Sequence, residues 1–269
     1  MSKEQKKKSI IIFAAIFVVL IVGILLTEGH EKHETLQEVM RDAVLHESGK
    51  VNFFGLCEVN PAVISALIVS GCLIIFAIII RIFVIPKFTL VPGKFQLVLE
   101  EAVGLFDNLA KTNSPHRNNI LGGYIFFAGA YIFVGTLFEL FGLQAVTVAG
   151  HSIALPAPLA DINGAIAMGV MSYTFILIGG LVGGGPKGLG SALKDFSLPI
   201  SMSFRLFGAL LSGALVTELV YYSASLSFGI PIFVGVMFTL LHALIQAYVL
   251  TMLVSIFYGE SSEPRKKKK

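Results

Sequence analysis

The sequence predicts an all-α polytopic membrane protein: about six membrane helices, the last two long, strongly tilted and forming an antiparallel hairpin, plus one interfacial amphipathic helix. Three observations carry this fold class. Mean hydropathy is +0.82, with 55% hydrophobic and 14% charged residues, whereas soluble domains use roughly 25% charged residues. Several uninterrupted apolar runs exceed the roughly 18 residues that mark a spanning helix, and they lack the strict alternation of a membrane barrel. Lys and Arg outside those runs number fifteen on one proposed side and three on the other. That asymmetry sets membrane orientation.

Residues 1–8 carry four lysines and precede an apolar run at 9–26. A secretory signal starts the same way, but its apolar core is about 7 to 15 residues and ends in a small-residue cleavage site. Here the run ends Leu-Leu-Thr-Glu-Gly-His, so a retained anchor helix is expected. Residues 28–60 hold seven Asp or Glu against Lys32, Arg41 and Lys50, and are placed outside. Residues 1–60 thus form an anchor and acidic external segment, and residues 61–269 the membrane domain.

A second span covers 61–85, with Arg81 near one interface. The basic-flanked stretch 86–119 follows. Within it, residues 94–111 place Lys94, Glu101, Asp107, Asn108 and Lys111 on one side of a helix and Phe95, Leu99, Val103, Phe106 and Ala110 on the other. That pattern suits an interfacial helix or a helix packed on a partner. The third span, 120–141, holds Glu139 near its far end. The loop 142–160 has no Lys or Arg and is placed outside. The fourth span, 162–182, enters behind Asp161 and ends at Gly183-Gly184-Gly185-Pro186, before an inner loop with Lys187 and Lys194. Two apolar runs, 197–226 and 228–258, complete the chain around the turn 227–231. Thirty helical residues reach about 45 Å across a hydrocarbon layer about 30 Å thick, so both must tilt. The tail 260–269 ends in five basic residues from Arg265 and belongs inside. Both termini are therefore cytoplasmic.

Apart from Arg81 near an interface, three charged residues remain within spans, Glu139, Arg205 and Glu218, with Asp161 at a boundary. A charge near the centre of a membrane helix costs about 2.5 to 3.5 kcal/mol on insertion scales, so it normally faces protein or water and marks function. An arginine keeps its charge and cannot itself relay a proton. Its plausible role is electrostatic: a fixed cation within about 4 to 6 Å of a carboxylate lowers that group's pKa by about 1 to 3 units. Ser201, Gly208, Ala209 and Ser212 share its face and are small enough to admit a close neighbour. The structural alternative pairs Arg205 with Glu218 or lets it snorkel to an interface; Glu218 lies about 20 Å further along the helix axis. In the last run His242 and Gln246 are four apart and share a face with Thr239. Histidine is the natural proton carrier near neutral pH, and interhelical hydrogen bonding is the structural alternative.

Arg205-Leu206-Phe207-Gly208, preceded by Pro199 and Ser201 and followed by Gln246-Ala247 in a second long helix, resembles subunit a of the F-type ATP synthase. Val91-Pro92-Gly93-Lys94-Phe95-Gln96 and Ala160-Asp161-Ile162-Asn163 are similar to that family too, so the resemblance covers most of residues 86–258. It implies a stator subunit in the lipid bilayer whose last two helices face a rotating c-subunit ring, with two offset half-channels. Subunit b of the peripheral stalk and other ATP synthase subunits are the further partners, and no nucleic acid is implied. Arg205 matches the arginine that faces the ring carboxylate and blocks leakage, Gln246 the glutamine beside it, and Ser201 a small polar residue on the inner side. Glu139, Asp161 and Asn163 correspond to outer-side polar positions.

The sequence departs from the family pattern in places. Ala209 and Ala214 stand where Asn and an acid are common, which implies that Glu218 and His242 supply the outer groups from shifted positions. Ser191 stands where another acid is common, so Asp195 or Lys194 would line the inner exit. The first helix and residues 28–60 fall outside the resemblance. The implied setting is a bacterial inner (plasma) membrane, with H⁺ as the commoner ion and Na⁺ the alternative.

No cofactor or metal is expected, and no Gly-x-x-x-x-Gly-Lys-Ser/Thr phosphate loop occurs, residues 183–190 included. Nucleotide chemistry is thus expected on other subunits. Cys57 and Cys72 are too few for a disulfide framework. A self-contained transporter would commonly show repeated halves, and residues 1–130 and 131–269 show none. An intramembrane enzyme would need a nucleophile with a base or a metal cluster. His242, Glu218 and the scattered serines have no such spacing.

Overall fold

The computed structural model describes residues 18, 19, 22, 50–53, 57–116, 118–146, 148, 152–222 and 230–263; the side chains of 217, 218, 221, 222 and 230–232 are excepted. The expected anchor at 9–26, most of the acidic segment 28–60, the turn 227–231 apart from its last two residues, and the basic tail from Arg265 therefore lie outside the described residues. Contacts divide the chain into two units. The smaller comprises Met1–Ser48 and Leu211–Phe238, the larger Gly49–Leu210 and Thr239–Lys269.

Five described helices are long and apolar enough to cross a membrane. This is an all-α integral membrane protein. Its first described elements are strands β1 (Val51–Phe53) and β2 (Cys57–Val59), an antiparallel pair with Asn52 opposite Glu58. Helix α1 (Pro61–Ile79) starts where Asn60 caps it: the Asn60 side chain accepts from the Ala62 N–H at 3.0 Å, and Pro61 sits where no amide partner is needed. It ends through a π-helical turn, Ile80–Val84, and a 3₁₀ turn, Ile85–Lys87, completing a 27-residue span. Most of its side chains are exposed apolar groups, as hydrocarbon allows.

Helix α2 (Lys94–Asn113) follows a turn closed by Gln96, whose amide donates to the Thr89 carbonyl at 3.0 Å and accepts from the Thr89 N–H at 3.2 Å. Its C-terminal half packs on helix α3 (Asn118–Leu137), where Phe106 meets Phe126 edge-on at 5.6 Å and Ala110 is fully buried. Phe95, Leu97 and Val98 remain exposed. So the two sequence-stated options divide along one helix: half of it is packed on a partner, and half keeps a protein-free apolar side.

A 3₁₀ turn, Phe138–Phe141, carries Glu139 and closes at Gly142, whose φ is 58°. Strands β3 (Gln144–Val146) and β4 (Ser152–Ala154) then pair antiparallel. The Val148 amide donates to the Lys50 carbonyl at 3.0 Å, so the second ribbon lies beside the residue that opens the first. Neither ribbon is foreseen in the sequence, because three-residue strands are too short to establish a period.

Helix α4 (Ile162–Lys194) differs from the expected span ending at 182. It is two helical segments meeting at Gly185, with φ 62° and ψ −149°. That region of backbone space is essentially restricted to glycine. Pro186 then begins the second segment, where its missing N–H costs nothing. The second segment folds back on the first: Tyr173 donates its hydroxyl to the Ala192 carbonyl at 3.2 Å. Helices α5 (Ser197–Tyr222) and α6 (Ile230–Ser262) complete the fold.

The core lies in the larger unit, where α3, α4, α5 and α6 contribute Leu121, Ile125, Ile176, Met202, Leu206 and Val254 to one buried cluster. Tyr124, Phe175 and Tyr258 stack through it, with centroids 4.1 and 5.0 Å apart. Close approach depends on missing side chains. A Cβ at Gly129 would stand 2.6 Å from the Phe106 ring and 3.2 Å from the Thr251 methyl, so α2, α3 and α6 meet there with no spare volume. Gly129→Ala is expected to cost about 1 to 3 kcal/mol by overpacking, and adding Phe106→Leu should recover part of it. Thermal unfolding of the purified variants in detergent measures both.

Candidate functional site

Helix α5 separates its faces sharply. Met202 and Leu206 are each 1% exposed and Leu210 is 7% exposed, whereas Ser201, Phe204, Arg205 and Gly208 are exposed. The buried side is held against α4 at Gly169, where an added Cβ would overlap the Ser203 hydroxyl and stand 2.8 Å from the Pro199 carbonyl. That hydroxyl is itself directed back to Pro199 O at 2.6 Å. With this side locked inward, the helical repeat turns Arg205 outward. A Cβ at Gly208 would meet nothing within 4 Å. Ser212 is also exposed and Ala209 is half-buried.

Among the described residues, no carboxylate pairs with Arg205; the ion pair present joins Lys111 and Asp107 at 2.5 Å on α2. The Glu218 side chain lies outside the described residues. Among the described residues Arg205 thus presents an exposed guanidinium with no carboxylate beside it. Chemically it can attract and ionise an acid brought to it.

On α6, Gln246 is 8% exposed and stands with Ala243, Ala247 and Leu250 on the buried face, while His242 is half-buried. Gln246 is therefore turned inward while Arg205 is turned outward, each on its own helix.

The outer-side candidates lie around one buried loop. Leu155, Ala157 and Leu159 are buried, and Pro158 wedges between α3 and α4: its ring lies 3.6 Å from a Cβ built at Gly135, and its carbonyl 2.6 Å from one at Gly164. Glu139, half-buried, follows Gly135 by one turn, and Asp161 and the exposed Asn163 flank the start of α4. The structure adds a residue that the sequence reading did not single out. Asn60 donates through Nδ2 to Asp161 Oδ1 at 3.2 Å. Both residues are N-caps, so the starts of α1 and α4 lie at the same end of the bundle. Its sequence signal was the Asn-Pro pair before an apolar run, a helix-start pattern.

Among the described residues, no three His, Cys, Asp or Glu side chains gather as a metal site. The polar positions instead fall at one end of the bundle, around Glu139, Asp161 and Asn163, and along the exposed Arg205 face of α5, where Ser201 lies one turn before the arginine.

A family model described as ATP synthase A chain matches residues 63–259. The chain is 26% identical over 201 residues to an ATP synthase subunit a of Actinobacillus pleuropneumoniae serotype 3 (strain JL03), covering 62% of this chain and 76% of that protein. It is 27% identical over 197 residues to one of Histophilus somni (strain 129Pt), covering 62% and 73%. With one of Haemophilus influenzae (strain PittEE) it shares 26% over 221 residues, covering 68% and 83%.

Asn60→Ala removes both the cap on α1 and the donor to Asp161. A loss of about 1 to 2 kcal/mol is expected. Asn60→Ser, which keeps a capping oxygen but cannot span to Asp161, should lose less. Unfolding midpoints of the two variants against the parent protein check the order.

Proposed function

The chain belongs to the ATP synthase A chain family, and on that premise we propose how this ion-translocating membrane subunit of the stator works. Arg205 faces a carboxylate carried by a ring of small c subunits and separates two offset half-channels. The observation that carries this is the position of Arg205: a fixed cation on an outward face, flanked by Ser201 and a Gly208 with open space around it. A charge costs too much to leave in hydrocarbon, so such a face calls for water or an acidic partner.

An acid on the passing ring arrives protonated. Close to the guanidinium its pKa falls by about 1 to 3 units, so it releases its proton to the adjoining channel. Because arginine is always charged and carries no proton onward, the same residue bars direct leakage between the channels. Gln246 supports this step from α6. The outer channel draws on Glu139, Asp161 and Asn163, with Glu218 and His242 replacing the polar groups that Ala209 and Ala214 lack. The inner channel uses Ser201, with Asp195 or Lys194 at its exit. The ion is H⁺, the partners besides the ring are subunit b of the peripheral stalk and other ATP synthase subunits, and both termini face the cytoplasm of a bacterium. The subunit is non-catalytic, and nucleotide chemistry lies elsewhere in the complex.

The main test replaces Arg205 by Ala in the whole complex. Coupled ATP synthesis should vanish while the chain still co-purifies with an oligomeric ring of small hairpin proteins. Normal coupling, or isolation as a lone chain that transports in liposomes, would refute the reading. For Glu218→Gln, slower ion-driven turnover is expected at unchanged assembly. An unaltered rate removes Glu218 from the outer channel.

A further inference from the structure

The C-terminal end of α6 is held by close backbone approach on two sides, reinforced by side-chain hydrogen bonds. On one side stands α2. A Cβ at Gly259 would overlap the Asn113 carbonyl oxygen and lie 3.6 Å from Ser114 Cβ. Asn113 donates through Nδ2 to Ser255 Oγ at 3.1 Å, Ser255 donates to the Leu109 carbonyl at 3.2 Å, and His116 Nε2 lies 2.9 Å from Ser262 Oγ. On the other side stands the reversal of α4. A Cβ at Gly183 would overlap the Ser262 carbonyl oxygen and lie 2.6 Å from its Cα, one at Gly188 would lie 3.1 Å from the Ser261 carbonyl, and one at Gly179 would enter the Tyr258 ring. Ser262 is fully buried and Ser261 is 6% exposed.

Contacts of this kind fix a helix in two ways. Backbone set against backbone cannot be relieved by a change of rotamer, so the height and rotation of α6 are both determined. The helix is continuous from Ile230 to Ser262, so a displacement at Gly259 is carried rigidly to Gln246, about 20 Å away along the axis at 1.5 Å per residue.

We propose that Gly183 and Gly259 form a clasp that positions α6 for ion transfer, holding the buried Gln246 at the depth and rotation from which it supports the Arg205 step. This rests on the functional reading above, in which Gln246 supports the Arg205 step. Neither glycine touches the ion; both are positioning residues acting through α6. Their role differs from plain structural support in one measurable respect. A structural residue governs how much complex assembles, whereas a positioning residue governs how well each assembled complex couples.

The experiment compares Gly183→Ala and Gly259→Ala with Gly184→Ala and Gly190→Ala, in the complete synthase reconstituted in vesicles. An added Cβ at Gly184 would find its nearest neighbour at 3.7 Å, and one at Gly190 finds none within 4 Å. The quantity read is ions pumped per ATP hydrolysed, normalised to assembled complex. A displacement of 1 Å can cost about 100-fold in rate, so a clasp forced open by a fraction of that, with ATP hydrolysis continuing uncoupled from the slowed ion transfer, should lower the ratio about fivefold in the first pair. The second pair should match the parent. If Gly183→Ala and Gly259→Ala reduce only the amount of complex and the remainder couples normally, the proposal falls. Should they fail to assemble, Asn113→Ala and Ser255→Ala open the same clasp without adding volume. A lowered ratio in those variants supports the proposal, and a parental ratio overturns it. Arg205→Ala in the same assay separates the two readings: normal coupling there defeats the proposed function, whereas its loss alongside normal coupling in the glycine variants defeats only the clasp.

Discussion

Within hydrocarbon there is no hydrophobic force drawing one apolar helix to another, so association rests on how closely backbones approach and on the polar groups they share. The larger unit is built under that constraint. Gly129 admits the Phe106 ring, Gly169 brings α4 against the Pro199 carbonyl, and Gly164 lets the Pro158 loop settle between helices. Each contact lacks the space for one further methyl group. Polar pairs add to this at helix ends: Asn60 with Asp161 joins two helix starts, and Asn113, the last residue of α2, reaches Ser255 on α6. At Gly129 one glycine serves two partners at once, the Phe106 ring of α2 and the Thr251 methyl of α6.

That packing decides where the costly charge goes. Met202, Leu206 and Leu210 commit one side of α5 to the core, and with the hand and pitch of the helix fixed, Arg205 has only the opposite side available. A single close contact at Gly169 thus orients a residue nearly two helical turns beyond Pro199. Gln246 follows the converse logic on α6, drawn inward by its alanine and leucine neighbours. An exposed arginine in an apolar helix is costly in hydrocarbon, so its surroundings must supply water or an opposite charge.

Long helices were legible because their signal is redundant. A run of apolar residues states a span many times over. The motif around Arg205 and Gln246 was legible for a different reason: charged and amide groups are rare in such runs, so the few present stand out, and their neighbours resembled a known family that the match over residues 63–259 then bore out. The reversal at Gly185 was only half visible. The Gly-Gly-Gly-Pro run marked an end to the helix, but the return of residues 186–194 along the first segment depends on Tyr173 reaching Ala192, a contact no local pattern encodes. Asn60 was visible as a cap and invisible as a partner of Asp161, since the two lie 101 residues apart. The two short ribbons carried no period to read.

By itself the sequence determined that the chain is a membrane protein, how many apolar runs it has, and where rare polar groups interrupt them. Those properties follow from local composition, because transfer of each side chain into hydrocarbon is paid for residue by residue. Tertiary structure alone decided which way those groups point and what holds them there. It turned Arg205 outward and Gln246 inward, joined Asn60 to Asp161, and set the C-terminal end of α6 between Asn113 and Gly183. Direction and proximity come from backbone contacts between distant segments, and these depend on the shapes of both partners at once.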